Sequence, residues 1–159
     1  MNRAWQNVTS YQCTYRAVTR YGGEVSVTEM RYFYQKPGKI RMEIIKPKDG
    51  AVLIYNPDLS DKVRVRPFPG IPFFVLNYGL KDKRVSSDAG GTVDRSDLGH
   101  RIQSYCETGS AGYRMVLNPS TDLPASLEVL DGKGGTREKF EWLDLKINTI
   151  LDSNLFEKF

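Results

Sequence analysis

The sequence predicts a mainly β protein of the α+β class, with one large, twisted antiparallel sheet and short helices inserted in mid-chain. Three observations lead to this prediction. Apolar and polar residues alternate with a period of two through several long segments, as in strands that bury one face. The phase of the alternation slips by one residue within two of these strands, which indicates bulges and therefore curvature. Two apolar segments in mid-chain lack the alternation and carry helix signals instead.

The central segment, residues 24–55, contains three predicted strands joined by Lys-Pro-Gly and Lys-Asp-Gly turns. The apolar phase of the first strand changes from odd to even positions, which predicts a bulge near residues 28 and 29. The second strand alternates without a break and has three apolar side chains on one face: Ile40, Met42 and Ile44.

Strands also flank this central segment. Residues 8–21 alternate throughout, and Gly22-Gly23 turns this long strand into the next one. After the central segment, Arg64 and Arg66 alternate with valines in a fourth strand that shows arginines to solvent. Strands of this length favour a large twisted sheet over a compact sandwich.

Two helices are expected in mid-chain. A proline-rich bend, residues 67–72, precedes an apolar run in which Pro72 suits the first position of a short helix and Gly79 its end. A second helix is expected to start at an Asp94 N-cap and to end at Gly109 and Gly112. It has one apolar stripe, formed by Leu98, Ile102, Tyr105 and Cys106.

Strands return in the last third of the chain. Residues 113–117 and 127–129 alternate, and residues 136–147 form a long final strand whose apolar phase slips after Trp142. A short capped turn at residues 152–156 is expected to place Leu155 and Phe156 against one end of the sheet.

Length and composition are those of one globular domain spanning residues 1–159, with 40% hydrophobic residues. No apolar run approaches the roughly 18 residues that a membrane-spanning helix needs. The formal charge of +4 and the isoelectric point near 9.0 permit contact with phosphate or anionic lipid but do not require it.

The two cysteines, Cys13 and Cys106, leave two interpretations open. A disulfide between them would close a very long loop and stabilise the fold by roughly 4–5 kcal/mol on the loop-entropy model. The alternative is two buried free thiols. The redox state of the compartment decides between the two interpretations.

The residue types that carry catalysis or metal binding are sparse. His100 is the only histidine, and it lies off the apolar stripe of the second helix. One histidine and two distant cysteines do not make a zinc site, and no glycine-rich loop follows a strand in a nucleotide-binding pattern. We therefore expect a binding protein without a cofactor or metal, and no enzyme.

Arginines and tyrosines interleave at several places, for example at Arg20-Tyr21 and Arg31-Tyr32. Such pairs can bind single-stranded nucleic acid by stacking and phosphate contacts. Alternation on a half-exposed strand produces the same pattern, with aromatic side chains inside and arginines outside. With so modest a net charge, we expect no nucleic-acid partner.

Five motifs follow one another along the chain: Phe33-Tyr34-Gln35-Lys36-Pro37-Gly38-Lys39-Ile40-Arg41, Lys46-Pro47, Leu53-Ile54-Tyr55-Asn56-Pro57, Pro72-Phe73-Phe74 and Asn154-Leu155-Phe156. Their order resembles that of the LolA/LolB family of periplasmic carriers, which sort lipoproteins to the outer membrane. The chain departs from the family at Lys36, where the carrier commonly has an arginine, and Trp5 to Val8 are at most a remnant of the family's first helix.

The resemblance implies an unclosed antiparallel β-barrel, a half-barrel, with short helices across its concave face as a lid. It implies a hydrophobic cavity between sheet and lid that receives acyl chains, and a basic hairpin residue, Lys36, that faces the lid. It also implies a monomer in the periplasm or cell envelope, its targeting segment absent from this sequence, and a membrane-associated donor or acceptor protein as a further partner.

We expect the cavity to be lined by apolar side chains of the strands and of the two mid-chain helices, although for any single one of them a place in the plain core is the more common role. They are Met30, Tyr32, Tyr34, Met42, Ile44, Phe73, Phe74, Leu76, Leu98, Ile102, Phe140 and Trp142. The leading hypothesis is a carrier or binder of lipoprotein acyl chains or other lipid. The alternative is a regulatory or sensory module of the same fold that binds a protein partner.

Overall fold

The computed structural model describes residues 1–87, 91–108 and 112–159. Two helices, α1 (Asn2–Gln6) and α2 (Leu98–Thr108), accompany 3-10 turns at Val93–Arg95 and Ser153–Phe156. The strands are β1 (Ser10–Tyr21), β2 (Glu24–Gln35), β3 (Lys39–Lys46), β4 (Val52–Tyr55), β5 (Lys62–Arg66), β6 (Leu76–Gly79), β7 (Tyr113–Leu117), β8 (Pro124–Leu130) and β9 (Thr136–Ile147).

In the described part of the chain these strands form a single antiparallel sheet with the order β6-β5-β4-β3-β2-β1-β9-β8-β7. The sheet does not close, since β6 and β7 are its two edges. The predicted mainly β fold, an unclosed antiparallel barrel accompanied by a short helix, is therefore confirmed.

Irregularities in the strand register occur where the alternation slips in the sequence. The register of β2 against β3 shifts between Glu29 and Met30, next to the predicted position, but the extra residue is Ile45 of β3 rather than a residue of β2. The register of β1 against β9 shifts between Gln12 and Thr14, opposite the slip after Trp142. Asp144 has a φ of +52° at this point, which is consistent with an extra residue in the last strand.

One face of the sheet, which we call the inner face, carries the main core. It includes Tyr11, Tyr32, Ile40 and Met42, and α1, α2 and the segment before α2 pack against it. Alternation puts the intervening residues on the opposite, outer face.

The C-terminal segment lies on the outer face of β3 and β5. Arg41 is buried there and donates hydrogen bonds to the carbonyl oxygens of Leu155 (3.0 Å) and Lys158 (2.7 Å). Arg64 donates to the carbonyl of Glu157 (2.7 Å), and Phe156 is buried. The expectation that Leu155 and Phe156 close one end of the sheet was wrong, because Arg41 holds their backbone against its outer face.

The short helix expected at 72–79 is absent, since these residues are described and form a turn followed by strand β6. β6 pairs with the edge of β5, with Leu76 opposite Val65. An unpaired strand edge is unfavourable, and the alternating residues 76–79 satisfy the edge of β5. Phe73 and Phe74 precede the strand and are 94% and 44% exposed, so they do not line the inner face.

Helix α2 starts later than predicted. Asp94 lies in the 3-10 turn, and Asp97 caps the helix by accepting hydrogen bonds from the backbone N–H groups of Gly99 (2.8 Å) and His100 (3.2 Å). Leu98 and Ile102 of the predicted stripe are buried. The predicted end at Gly109 lies outside the described residues.

The candidate disulfide does not form, and both cysteines are free. Cys13 is buried in the inner face of β1, beneath the helices. Cys106 is exposed on α2, where its sulfur lies 3.8 Å from Asn2 Oδ1 of α1. The two thiols are therefore on opposite sides of the covering layer.

We predict that, in the absence of reductant, one thiol of the native protein reacts rapidly with a thiol reagent. The second thiol should react only after the protein is denatured. Burial raises the pKa of the Cys13 thiol and excludes the reagent, so the fast thiol is Cys106. Cys106→Ser is the matched control and should abolish the fast phase alone. A denatured, unreduced protein with no titratable thiol would show that a disulfide exists.

Candidate functional site

Four tyrosines form the centre of the inner face. In the β1–β2 register, Tyr11 lies opposite Tyr34, and Tyr15 lies opposite Met30. Cys13 is opposite Tyr32 in the same ladder. Because side chains two apart in a strand share a face, these residues all point towards the helices. We call Tyr11, Tyr15, Tyr32 and Tyr34 the tyrosine cluster.

The rings of the tyrosine cluster are in contact with one another and with β9. Tyr11 stacks on Tyr34 with ring centroids 5.1 Å apart, and on Tyr32 at 5.8 Å. Tyr15 stacks on Phe140 at 6.1 Å and meets Trp142 edge-on at 5.8 Å. Aromatic pairs in these geometries contribute about 0.5–1.5 kcal/mol each beyond the area they bury.

Residues 93–108, which we call the lid, cover the tyrosine cluster. Leu98 and Ile102 are the buried residues of α2. The backbone N–H of Leu98 donates to the Tyr11 hydroxyl (3.1 Å), and the hydroxyls of Tyr32 and Ser96 are 2.8 Å apart. The lid is thus held by three buried apolar side chains, Val93, Leu98 and Ile102, and by a small number of hydrogen bonds.

An additional contact joins the lid to β9. The Arg101 guanidinium lies 4.2 Å from the centroid of the Phe140 ring, a cation–π geometry. The positively charged Arg101 of the lid therefore lies directly above the Phe140 ring of β9.

Lys36, in the β2–β3 hairpin, contacts α1 rather than α2. Its ammonium donates to the carbonyl oxygens of Trp5 (2.9 Å) and Gln6 (3.2 Å) and lies 4.8 Å above the Trp5 ring. A cation is favourable at this helix end, where the carbonyl groups lack partners in the helix.

Trp5 connects α1 to the lid. A Cβ atom at Gly99 would lie 2.5 Å from the Trp5 indole, so only glycine allows this approach without displacing the ring. Trp5 also contacts Tyr34, with ring centroids 5.7 Å apart. The hairpin, α1 and the lid therefore meet around one indole ring.

Burial keeps the tyrosine cluster neutral. It raises the pKa of Tyr15 to about 12, and the Arg101 guanidinium partly offsets that effect. Burial also raises the pKa of Tyr11, Tyr32 and Tyr34, with the nearby Asp97 carboxylate adding to the rise. A neutral, aromatic surface suits apolar ligands and disfavours anions.

Most of the residues proposed as cavity lining come together on the inner face. The buried ones that share one core are Met30, Tyr32, Tyr34, Met42, Leu98, Ile102, Phe140 and Trp142. Ile44 is partly buried against the same core, and Leu76 lies at the sheet edge on β6. Phe73 and Phe74 are the exceptions, being exposed.

The candidate lining omitted Tyr11, Tyr15 and Trp5, which the structure places at the centre of the site. A signal for the tyrosines was present, because a tight Gly22-Gly23 hairpin sets β1 against β2 and puts Tyr11 opposite Tyr34. The role of Trp5 depends on contact between α1 and α2, distant elements for which the sequence has no signal.

Two grooves open beside the packed core. One, of about 560 Å³, lies between α1 and α2 and is bordered by Trp5, Tyr34, Lys36 and Ile102. The other, of about 680 Å³, lies at the far end of the β1–β2 hairpin. It is lined by Thr19, Tyr21, Glu24, Ser26, Lys81, Lys83, Ser86, Ser87 and Thr92. Sheet and lid share one buried core, so a ligand must displace the lid to reach Tyr11, Tyr15 and Tyr32, whereas Tyr34 already borders the groove between α1 and α2.

Within residues 1–87, 91–108 and 112–159, no group of three or more His, Cys, Asp or Glu residues is placed to hold a metal ion. His100 is instead paired through Nδ1 with Oδ2 of the buried Asp97 carboxylate. None of the described helices is both long and apolar enough to cross a membrane.

No family model matches the chain, and neither does any curated protein. Solved structures do match over nearly the whole length. An uncharacterized conserved protein from Thermus thermophilus has 16% identity and a TM-score of 0.58 over 99% of this chain and 90% of that one. A DUF1329 family protein from Desulfovibrio piger has 10% identity and a TM-score of 0.53, with coverage of 98% and 93%.

A LolA superfamily protein from Nitrosomonas europaea also matches, with 10% identity and a TM-score of 0.52 over 94% of this chain and 90% of that one. At such identities the likeness concerns the fold. The fold of the chain is thus LolA-like, as the motifs of the β2–β4 segment predicted.

We predict that the free energy of unfolding falls as the pH rises from about 10 to 12. Unfolded tyrosine ionises near 10, whereas folded Tyr15 keeps its proton until about 12, so the unfolded chain loses protons first and is favoured. Tyr15 alone contributes a loss of about 2 kcal/mol across this interval. Denaturant titrations at successive pH values measure it.

Tyr15→Phe should make the decline shallower, whereas Tyr21→Phe, at an exposed position, is the matched control and should not. Equal slopes for both variants would show that Tyr15 is not protected from ionisation in the folded state.

Proposed function

We propose that this LolA-like protein binds an acyl chain of a lipoprotein, or another lipid, between the inner face of its sheet and the lid. The fold supports the proposal, because the chain shares it with a LolA superfamily protein over nearly its whole length. The protein would act as a carrier or binder in the cell envelope, receiving its cargo from a membrane-associated donor or passing it to such an acceptor.

The observation that carries the proposal is the small number of contacts that hold the lid on the inner face of the sheet. An extensive apolar face lies beneath the lid, yet the buried apolar residues of the lid are only Val93, Leu98 and Ile102. The Leu98 N–H donates a hydrogen bond to the Tyr11 hydroxyl, and the hydroxyls of Ser96 and Tyr32 are paired. The contacts of Arg101 with Phe140 and of Gly99 with Trp5 complete the attachment described above. A cover attached at so few points can move as a unit while the sheet stays folded.

A comparison of burial free energies favours replacement of the lid by a ligand on the inner face. Lifting Val93, Leu98 and Ile102 from the core costs roughly 4–9 kcal/mol of burial. A 16-carbon acyl chain withdrawn from water offers on the order of 12 kcal/mol before ordering costs. The difference leaves room for binding that is tight and still reversible, as transport requires.

The inner face also contains adaptable side chains. Met30 and Met42 lie on neighbouring strands, two residue pairs apart in the β2–β3 ladder, and both are buried. Methionine is unbranched and flexible, so it repacks around ligands of different shape more readily than β-branched residues do.

A second candidate function is a regulatory or sensory module that uses the same fold for a protein partner. The observation that favours it is the filled interior, since Tyr11, Tyr32 and Leu98 are fully buried by other parts of the chain. This candidate predicts that lipid probes do not enter the protein.

We predict that delipidated protein takes up a fluorescent fatty acid saturably, one per chain, at micromolar probe. Ser96→Ala removes the hydrogen bond to Tyr32 and so weakens the closed lid by about 1 kcal/mol. Apparent affinity should then rise about fivefold, because less free energy is spent on opening. Fluorescence titration measures both quantities.

Ser126→Ala, on the outer face of β8, is the matched control and should bind like the unmodified chain. Absence of saturable uptake in all three proteins would contradict the proposal and favour the protein-binding module. Uptake that is identical in the two variants would show that the lid does not gate the site.

A further inference from the structure

The loop between β5 and β6, residues 67–75, exposes a group of large apolar side chains, and we call it the apolar loop. Phe68 and Ile71 are 54% and 53% exposed, Phe74 is 44% exposed and Phe73 is 94% exposed. Isolated exposed apolar residues are common on protein surfaces, but four within seven positions concentrate apolar surface on one loop.

The apolar loop has a defined shape. Its three prolines, Pro67, Pro69 and Pro72, restrict the backbone, and two successive turns are closed by the hydrogen bonds Ile71 N to Phe68 O (3.3 Å) and Phe74 N to Ile71 O (3.1 Å). The rings of Phe68 and Phe74 are in contact, with centroids 6.1 Å apart. The loop backbone is therefore already ordered, and binding through these apolar side chains would cost little conformational entropy.

A basic turn lies against the apolar loop. The β3–β4 turn approaches Pro69 so closely that a Cβ atom at Gly50 would be 2.6 Å from its ring. This turn carries exposed Lys46 and Lys48 and a single carboxylate, Asp49. Aromatic and aliphatic side chains beside exposed lysines match the boundary between acyl chains and phosphate headgroups of an anionic membrane.

We propose that the apolar loop inserts into the headgroup region of an anionic lipid bilayer, with Lys46 and Lys48 on the lipid phosphates. A membrane suits the patch better than a protein partner does. Protein interfaces of standard size engage about 20–30 residues on each side, whereas this patch is the tip of a nine-residue loop. The proposal goes beyond lipid binding under the lid and does not depend on it.

Vesicle flotation tests the proposal with the intact chain. The protein should float with phosphatidylcholine–phosphatidylglycerol vesicles and bind pure phosphatidylcholine vesicles at least about tenfold more weakly, because neutral lipid lacks the attraction for lysines. Phe73→Ser with Phe74→Ser should lower partitioning by about tenfold or more. Since both side chains are exposed, the double variant should keep its fold, which circular dichroism checks.

Lys46→Gln with Lys48→Gln should lower binding to the anionic vesicles about tenfold while leaving the weak binding to neutral vesicles unchanged. The matched charge control is Lys62→Gln with Lys146→Gln, two exposed lysines at the opposite end of the strands. The matched apolar control is Leu59→Ser with Ile150→Ser, which removes exposed apolar side chains elsewhere.

Phe73→Trp adds a direct reporter of insertion. Its emission should shift to shorter wavelength with anionic vesicles and should be quenched by brominated acyl chains, relative to the parent protein with its native Trp5 and Trp142.

Absence of flotation with anionic vesicles, or flotation unchanged by the Phe73 and Phe74 substitutions, would overturn the proposal. So would self-association that is lost in the double phenylalanine variant without any vesicle binding, because the patch would then serve a second copy of the chain. Fatty-acid uptake in the absence of vesicles should stay unchanged in that variant, which separates this proposal from binding under the lid.

Discussion

The tyrosine cluster depends on the pairing of β1 with β2, which runs without interruption from Ser10 opposite Gln35 to Tyr21 opposite Glu24. Because side chains alternate between faces, a shift of one residue would turn every tyrosine of one strand to the outer face. The bulges lie outside this ladder, in the pairing of β1 with β9 and of β2 with β3. The sheet can therefore curve around an aromatic centre whose register stays constant.

The lid follows from that centre. Rings that stack on one another leave their hydroxyl groups pointing away from the sheet, and a buried hydroxyl needs a hydrogen-bond partner. The Ser96 hydroxyl pairs with that of Tyr32, and the Leu98 N–H, the first of α2, donates to the Tyr11 hydroxyl. These partners orient the lid but attach it at few points. The same arrangement thus gives a closed resting state and a cover that an apolar ligand can replace.

Much of this architecture follows from local patterns in the sequence. Alternation located the strands and the place where the β2–β3 register shifts, although not the strand that holds the extra residue, and the order of the turn motifs indicated the LolA-like fold. Phe73 was wrongly predicted to line the cavity, because the residue type alone does not show whether an apolar side chain is buried or exposed on a loop. Asp94 and Asp97 are equally good caps locally, and the choice of Asp97 depends on where α2 meets Tyr11.

Native-state hydrogen exchange of the ligand-free protein tests most directly whether the lid opens independently of the sheet. If it does, amides of residues 98–108 exchange with an opening free energy at least about 3 kcal/mol below that of amides in β1, β2 and β9. Bound fatty acid should change the exchange of the lid more than that of the outer strands. Amides of the lid that exchange only with global unfolding, at the same free energy as the sheet, would contradict a movable cover over the tyrosine cluster.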